Sequence, residues 1–223
     1  VNQRTESKAA VIEAEASRLF HEPPPLPQPK EEGKPDPNTD IMDKTERLKK
    51  SASLYDEIVE KYPRTNVGRM ASYESGNVYF ELKDYDSAEK RYLSSLEKNA
   101  NHKNIASLIH LKLGYLYQKK GNPESALKQF RASYEAEESH NRDQAGFELA
   151  RVLESSGKKD EAVGIYKKVS DDFAKSPWGT EAKVRMDLLN PPTASAPAPS
   201  ATEPAKATTP PAGATPPAEK KKK

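Results

Sequence analysis

Four histidines and a large set of carboxylates are the side chains of this chain that could take part in acid–base or metal chemistry. The histidines, His21, His102, His110 and His140, are scattered, and none stands in a metal-ligand spacing such as His-Glu-x-x-His. Nucleophile-elbow, phosphate-loop and dinucleotide-binding motifs do not occur. Cysteine is absent, which excludes disulfides and thiol catalysis. The sequence therefore predicts that the protein is not an enzyme and has no catalytic residue, metal site or cofactor.

A sparse pattern of small and aromatic residues occurs three times, always with successive spacings of three, nine, four and three residues. The second copy begins 38 residues after the first, and the third begins 36 residues after the second. The copies are Gly76, Tyr79, Ala88, Tyr92, Ser95; Gly114, Tyr117, Ala126, Phe130, Ser133; and Ala150, Leu153, Ala162, Tyr166, Val169. A fixed period of this length with small residues at set positions is typical of an array of helix pairs.

Each copy is predicted to be two helices folded back on each other. Helix axes approach to about 8–10 Å only where the side chains at the crossing allow it. Gly76 and Ala88 are the small residues expected at that crossing in the first copy, and Tyr92 is expected to fill the space between neighbouring pairs. Bulkier residues at these small positions should overpack the crossing.

The ends of the predicted helices are marked by turn residues. Gly121 and Gly157 are each expected to lie just past the end of a first helix. The first copy has no glycine at this point but the run from Lys83 to Asp86, and Asp86 is the expected N-cap of its second helix.

These residues resemble the tetratricopeptide repeat (TPR) over about residues 40–189. Partial matches extend the three copies at both ends, because Tyr55 precedes Tyr92 by 37 residues and residues 177–189 form a closing helix pattern. The resemblance implies an all-α fold, namely a right-handed α-solenoid of three full TPR helix-turn-helix repeats with a half-repeat at each end.

Proline divides the chain into parts. Of 19 prolines, seven lie in residues 23–37 and nine in residues 191–217, and the remaining three stand at predicted helix boundaries. We therefore predict an N-terminal helical segment at 1–22, a proline-rich linker at 23–38, the TPR array at 39–190 and a disordered Pro/Ala/Thr tail at 191–223 that ends in a lysine run. The N-terminal segment is expected to dock on the array or to continue from a segment upstream of Val1, and the alternative is an oligomerisation helix.

The first helix of each pair is the predicted binding surface, because these helices line the concave groove of TPR arrays. Alignment of the chain to the repeat predicts the groove residues Met70, Tyr73, Asn77, Phe80, Leu108, Leu111, Tyr115, Gln118, Gln144, Phe147 and Arg151. An extended or helical peptide is the expected occupant. The alternative is that N-terminal residues, or the curvature of the array, already cover the aromatic side chains.

One known TPR binding mode is not expected here. Some TPR domains grip a C-terminal carboxylate with Lys and Asn side chains at fixed groove positions. In this chain Tyr73 stands where the first of those lysines would be, Asn77 alone matches, and Glu148 would repel an acid.

The joints between repeats are similar to those of bacterial envelope TPR proteins. Residues 62–65 and 174–178 resemble the joints of YfgM-like translocon-associated proteins, BamD-type assembly lipoproteins and CpoB-type envelope proteins. The resemblance implies a periplasmic location with an inner-membrane anchor upstream of Val1, and the alternative location is the cytoplasm. Within the chain itself, no run of eighteen apolar residues occurs.

Composition and repeat type together predict a protein or peptide partner. The formal net charge of +2 argues against an obligate nucleic-acid binder. The run Lys220–Lys223 is interpreted either as a contact to an anionic surface or as a solvated tail. The leading hypothesis is an interaction scaffold or chaperone-like adaptor of the cell envelope that binds a peptide or partner helix in the groove. The alternative is a structural subunit that packs permanently in a larger complex or self-associates, and the oligomeric state is left open.

Overall fold

Helices account for almost all of the described backbone. The computed structural model describes residues 2–22, 29, 42–137 and 139–190, and over these ranges it contains nine helices and no strand. They are α1 (Gln3–His21), α2 (Lys44–Lys61), α3 (Asn66–Glu81), α4 (Tyr85–Lys98), α5 (Lys103–Lys119), α6 (Pro123–Glu135), α7 (Arg142–Ser155), α8 (Lys159–Asp172) and α9 (Pro177–Leu189). The predicted linker, apart from Pro29, and the predicted tail lie outside the described residues.

The order of the helices confirms the all-α repeat prediction. Three complete pairs, α3/α4, α5/α6 and α7/α8, coincide with the three copies of the sequence pattern. Before them, α2 carries the partial match around Tyr55, and after them α9 covers the predicted closing helix. Each helix packs against the next one along the chain, as expected for a repeat array in which contacts are made between neighbours.

Small residues stand where the sequence pattern predicts close approach. A β-carbon built on Gly76 would lie 2.7 Å from the ring of Tyr92, and one on Gly114 would lie 2.5 Å from the ring of Phe130. The small residues of the second helices have no exposed surface; they are Ala88, Ala126 and Ala162. The crossings therefore leave no room for a larger side chain.

Polar side chains determine where most helices begin. Six N-cap side chains accept a hydrogen bond from a backbone N–H of the first turn; they are Asn2, Asp43, Thr65, Asp84, Asn122 and Ser176. The predicted N-cap Asp86 is wrong, because α4 already begins at Tyr85 and the backbone N–H of Ser87 bonds to Asp84. Asp86 lies in the first turn instead, where its carboxylate pairs with Lys120 at 2.7 Å.

The first helices of the three complete pairs end in one shared geometry. The residue just past the end has a positive φ of 62° at Lys83, 70° at Gly121 and 77° at Gly157. The following backbone N–H then bonds to a carbonyl five residues earlier, as from Asp84 to Tyr79 at 3.0 Å. The two glycine ends were predicted correctly, and Lys83 adopts the same left-handed backbone without being a glycine.

Helix α1 occupies the place of a first helix in front of α2. It packs against both α2 and α3, just as α7 packs against both α8 and α9. The Ser51 hydroxyl donates to the buried carbonyl of Ala16 at 2.7 Å, and the Arg47 guanidinium donates to the carbonyls of Leu19 and Glu22. The described residues therefore form four helix pairs followed by α9, and the first pair is interrupted by the proline-rich stretch.

The apolar core follows the array in three successive clusters. One lies among α1, α2 and α3, the second among α3, α4 and α5, and the third extends from α5 to α9. Among consecutive helices of the described chain, α4 and α5 contact each other least. The joint between the second and third pairs is therefore the most open one.

Candidate functional site

The odd-numbered helices form one side of the array, which we call the inner face. On it a cavity of about 480 Å³ opens between α1, α3 and α5, next to the joint between α4 and α5. We call it the inner cavity. Its lining residues are Phe20 and His21 from α1, Asn77, Phe80 and Glu81 from α3, Tyr92 from α4, and Lys112, Tyr115 and Lys119 from α5.

The hydroxyl groups of the two tyrosines in the inner cavity form hydrogen bonds to other side chains of the protein. Tyr92 donates to Asn77 Oδ1 at 2.8 Å. Tyr115 donates to Glu148 Oε1 at 3.2 Å and accepts from Gln144 Nε2 at 3.0 Å. Burial raises the pKa of both phenols, so both stay protonated near neutral pH. The tyrosines therefore contribute ring surface to the cavity rather than free hydroxyl groups.

The charges around the inner cavity are mostly positive. Lys112 and Lys119 line it, and Glu81 is the one acidic residue among the lining side chains. Glu81 already forms an ion pair with Lys44, whose Nζ lies 2.5 Å from Glu81 Oε1. The cavity thus combines aromatic walls with cations at its edge.

A buried carboxylate connects α5 and α7 beside the cavity. Glu148 is only 3% exposed. Its Oε2 lies 2.7 Å from Arg151 Nη2, close enough for an ion pair, although no donor is aligned for a hydrogen bond to that oxygen. Burial raises the pKa of Glu148, against the opposing effects of Arg151 and the Tyr115 hydroxyl. This cluster holds the side chain of Tyr115 in place.

The predicted groove residues fall into three groups. Asn77, Phe80 and Tyr115 meet at the inner cavity. Gln144 is linked to them by its hydrogen bond to the Tyr115 hydroxyl, and Arg151 by its ion pair with Glu148, which accepts from the same hydroxyl. Partly exposed elsewhere on the same helices are Met70, Leu108 and Gln118. Buried in the core clusters are Tyr73, Leu111 and Phe147, with little surface left for a partner. That all eleven residues form a binding groove stays a prediction.

Six cavity residues were not among the predicted groove residues, namely Phe20, His21, Glu81, Tyr92, Lys112 and Lys119. Lys112 and Lys119 stand three residues before and four residues after Tyr115 and so share its helix face, a periodicity that could have identified them. Phe20 and His21 precede the proline-rich stretch, and no repeat pattern links them to the array. Their position follows only from the packing of α1 on α2 and α3.

The part of the chain that the structure describes has no group of three or more His, Asp or Glu side chains that could hold a metal ion. None of the described helices combines the length and the apolar character needed to cross a bilayer.

Comparisons with known proteins agree on the type of fold. The family described as "Tetratricopeptide repeat-like domain" matches residues 38–191. No curated protein sequence matches the chain. Nearly identical TPR-like repeats of a protein from Podosopora anserina, described as a kinesin light chain, are 15% identical over 82% of this chain and 86% of theirs, with a TM-score of 0.58. A variant form of the same repeats gives 14% identity, coverages of 84% and 87%, and a TM-score of 0.60.

A third solved structure is similar over part of its length. It is the Rap conjugation gene regulator of the plasmid pLS20 in complex with the Phr* peptide. The identity is 21%, the match covers 67% of this chain and 42% of the regulator, and the TM-score is 0.50. At these identities the three structures show the fold alone.

Proposed function

The chain belongs to the tetratricopeptide repeat-like family, and on that premise we propose that it is a non-enzymatic scaffold or adaptor that binds a peptide or partner helix on its inner face. The observation that carries the proposal is the inner cavity, where aromatic side chains from α1, α3, α4 and α5 surround a space of about 480 Å³. A cavity of this size takes one or two side chains of a bound segment. The peptide held by the related Rap regulator supports a peptide as occupant.

A photo-crosslinking experiment in cells tests this function. A photoreactive amino acid replaces Gln118, which is partly exposed on α5, or Leu93, which is exposed on α4 away from the inner face. We expect discrete crosslinked products from position 118 and none of the same size from position 93. Equal products from both positions, or none from position 118, would contradict a binding role for the inner face.

The rival function, a permanent structural subunit or self-associating protein, is favoured by apolar side chains exposed on α9. Val184 and Leu188 lie one helical turn apart there, and they are 48% and 71% exposed. Light scattering on the purified chain at increasing concentration, repeated with V184K, tests self-association through this face. A concentration-dependent dimer that V184K abolishes would favour the rival function.

The cell envelope is the location that we propose, supported by the resemblance of the repeat joints to those of periplasmic TPR proteins. Protease protection in intact cells and in spheroplasts tests it directly. An envelope protein becomes accessible once the outer membrane is removed, whereas a cytoplasmic protein stays protected until the cells are lysed.

A further inference from the structure

The inner cavity offers apolar surface, and the tyrosine hydroxyls next to that surface are already hydrogen-bonded within the protein. The hydroxyls of Tyr92 and Tyr115 are bonded within the protein, and Phe20 and Phe80 have none. A polar side chain entering this space would lose its bonds to water without gaining new ones, which is unfavourable. An aromatic or long aliphatic side chain suits the space instead.

The edge of the cavity has the opposite character. Among the described residues, Lys112 and Lys119 take part in no ion pair, whereas Glu81 is neutralised by Lys44. Glu148, which the sequence suggested would repel an acid, does not line this cavity and is paired with Arg151. As far as the described residues show, the charge left unpaired at the edge is therefore positive, and it is complementary to carboxylates.

We propose that the inner cavity binds an acidic segment of a partner protein through one apolar anchor side chain with carboxylates on both sides of it. The anchor packs between Phe80 and Tyr115, and the carboxylates lie beside Lys112 and Lys119. This inference rests on the proposed function, because it names the chemistry of the partner at the same surface.

The spacing of the two lysines gives the ligand a defined pattern. They are seven residues apart on α5, which corresponds to about 10 Å along a helix. A helical ligand matches this distance with acidic residues about seven positions apart, and an extended ligand with acidic residues about three positions apart. In both cases the anchor lies between the two acids.

Selection from a displayed library of random sixteen-residue peptides on the immobilised full chain tests the proposal. We expect enriched peptides to contain an aromatic residue, Leu or Met between Asp or Glu residues at one of these two spacings. Enrichment of basic or neutral peptides overturns the proposal, and so does the absence of any enrichment.

Variants of the chain then locate the binding site of an enriched peptide by fluorescence anisotropy. K112E and K119E are each expected to weaken binding roughly fivefold, and F80A roughly tenfold. K90E, which changes an exposed lysine on α4, should leave binding unchanged, and circular dichroism confirms that each variant is folded. Binding that is insensitive to K112E and K119E overturns the acidic specificity.

The two proposals fail in distinguishable ways. Crosslinking at position 118 in cells, together with a library result that shows no acidic preference, rejects only the acidic ligand. Absence of crosslinking at position 118 counts against the inner face as a binding surface altogether.

Discussion

The ring of Tyr92 fills the space beside Gly76 that a β-carbon would need, since a β-carbon there would lie 2.7 Å from two ring atoms. Gly114 has the same relationship with Phe130, at 2.5 Å. In the third pair the equivalent position is Ala150, which is fully buried in the cluster that contains Tyr166. The close approach of a small residue to an aromatic ring is thus repeated at the first two of these crossings, and the third keeps a small buried residue in the same cluster as the ring.

Replacing the crossing glycines by alanine should destabilise the protein. G76A and G114A are each expected to lower the free energy of unfolding by about 1–3 kcal/mol, because the ring must move from its packed position. Urea unfolding followed by circular dichroism measures this change.

Gly164 on α8 provides the matched control, because nothing lies within 4 Å of a β-carbon built there. G164A should raise the free energy of unfolding by about 0.5–1 kcal/mol through the better helix propensity of alanine. If G76A raised the free energy of unfolding as much as G164A does, the close approach of the Tyr92 ring to Gly76 would not constrain the packing.

At position 83, glycine should give a more stable protein than the lysine that is present. Its φ of 62° is the left-handed conformation that glycine adopts at Gly121 and Gly157 in the later pairs. K83G is expected to raise the free energy of unfolding by about 1 kcal/mol, because it removes the steric cost of this conformation. The melting temperature should rise accordingly. K90G in the exposed interior of α4 should have the opposite effect, a loss of about 1 kcal/mol.

Asp56 joins three helices at one carboxylate. It lies 2.6 Å from Arg91 Nη2, and it accepts hydrogen bonds from the hydroxyls of Ser75 at 2.6 Å and Tyr79 at 2.9 Å. D56A should lower the free energy of unfolding by about 2–3 kcal/mol, because it leaves three partly buried donors without their acceptor.

The exposed ion pair on α8 is the comparison for Asp56. Asp171 pairs with Lys167 one helical turn away at 2.6 Å, with both side chains more than half exposed. D171A should lower the free energy of unfolding by less than about 0.5 kcal/mol. Equal losses of unfolding free energy for D56A and D171A would show that the contacts of Asp56 stabilise the protein no more than an exposed surface ion pair does.

Glu148 should make stability depend on pH. Because its pKa is raised in the folded protein, the native state binds a proton that the unfolded state has already released. Its favourable contribution is complete below the unfolded value of 4.5 and is lost as pH rises through the raised pKa. E148Q mimics the neutral carboxyl group, so its stability relative to the wild type should increase as pH rises above 4.5.

Urea unfolding of both proteins between about pH 4 and pH 8 measures this difference. E60Q, at an exposed position on α2, is the control for loss of a carboxylate outside the core. A difference between E148Q and the wild type that stays constant with pH would mean that Glu148 titrates alike in the folded and unfolded states.

The spacing of small and aromatic residues was enough to predict the pairing of α3 with α4, α5 with α6, and α7 with α8, because each crossing requires a small residue opposite a ring. The N-cap of α4 was missed by two residues. Asp84 and Asp86 are both good caps, and only the left-handed backbone at Lys83 decides between them.

The binding surface was less predictable than the fold. Tyr73 lies on the same helix as Phe80, Leu111 on the same helix as Tyr115, and Phe147 on the next first helix, α7. Helical periodicity does not show that neighbouring helices cover these three side chains. The repeat pattern also could not predict the contribution of Phe20, because a proline-rich stretch separates α1 from α2 in the sequence. The position of α1 depends on contacts such as the hydrogen bond from the Ser51 hydroxyl on α2 to the Ala16 carbonyl.

The sparse contact between α4 and α5 has a mechanical consequence. In a linear array, load passes only from one repeat to the next, so the weakest junction determines where the molecule yields. We expect tension applied to the two ends of the array to separate the second pair from the third first. A ligand bound in the inner cavity would contact helices on both sides of that junction and should strengthen it.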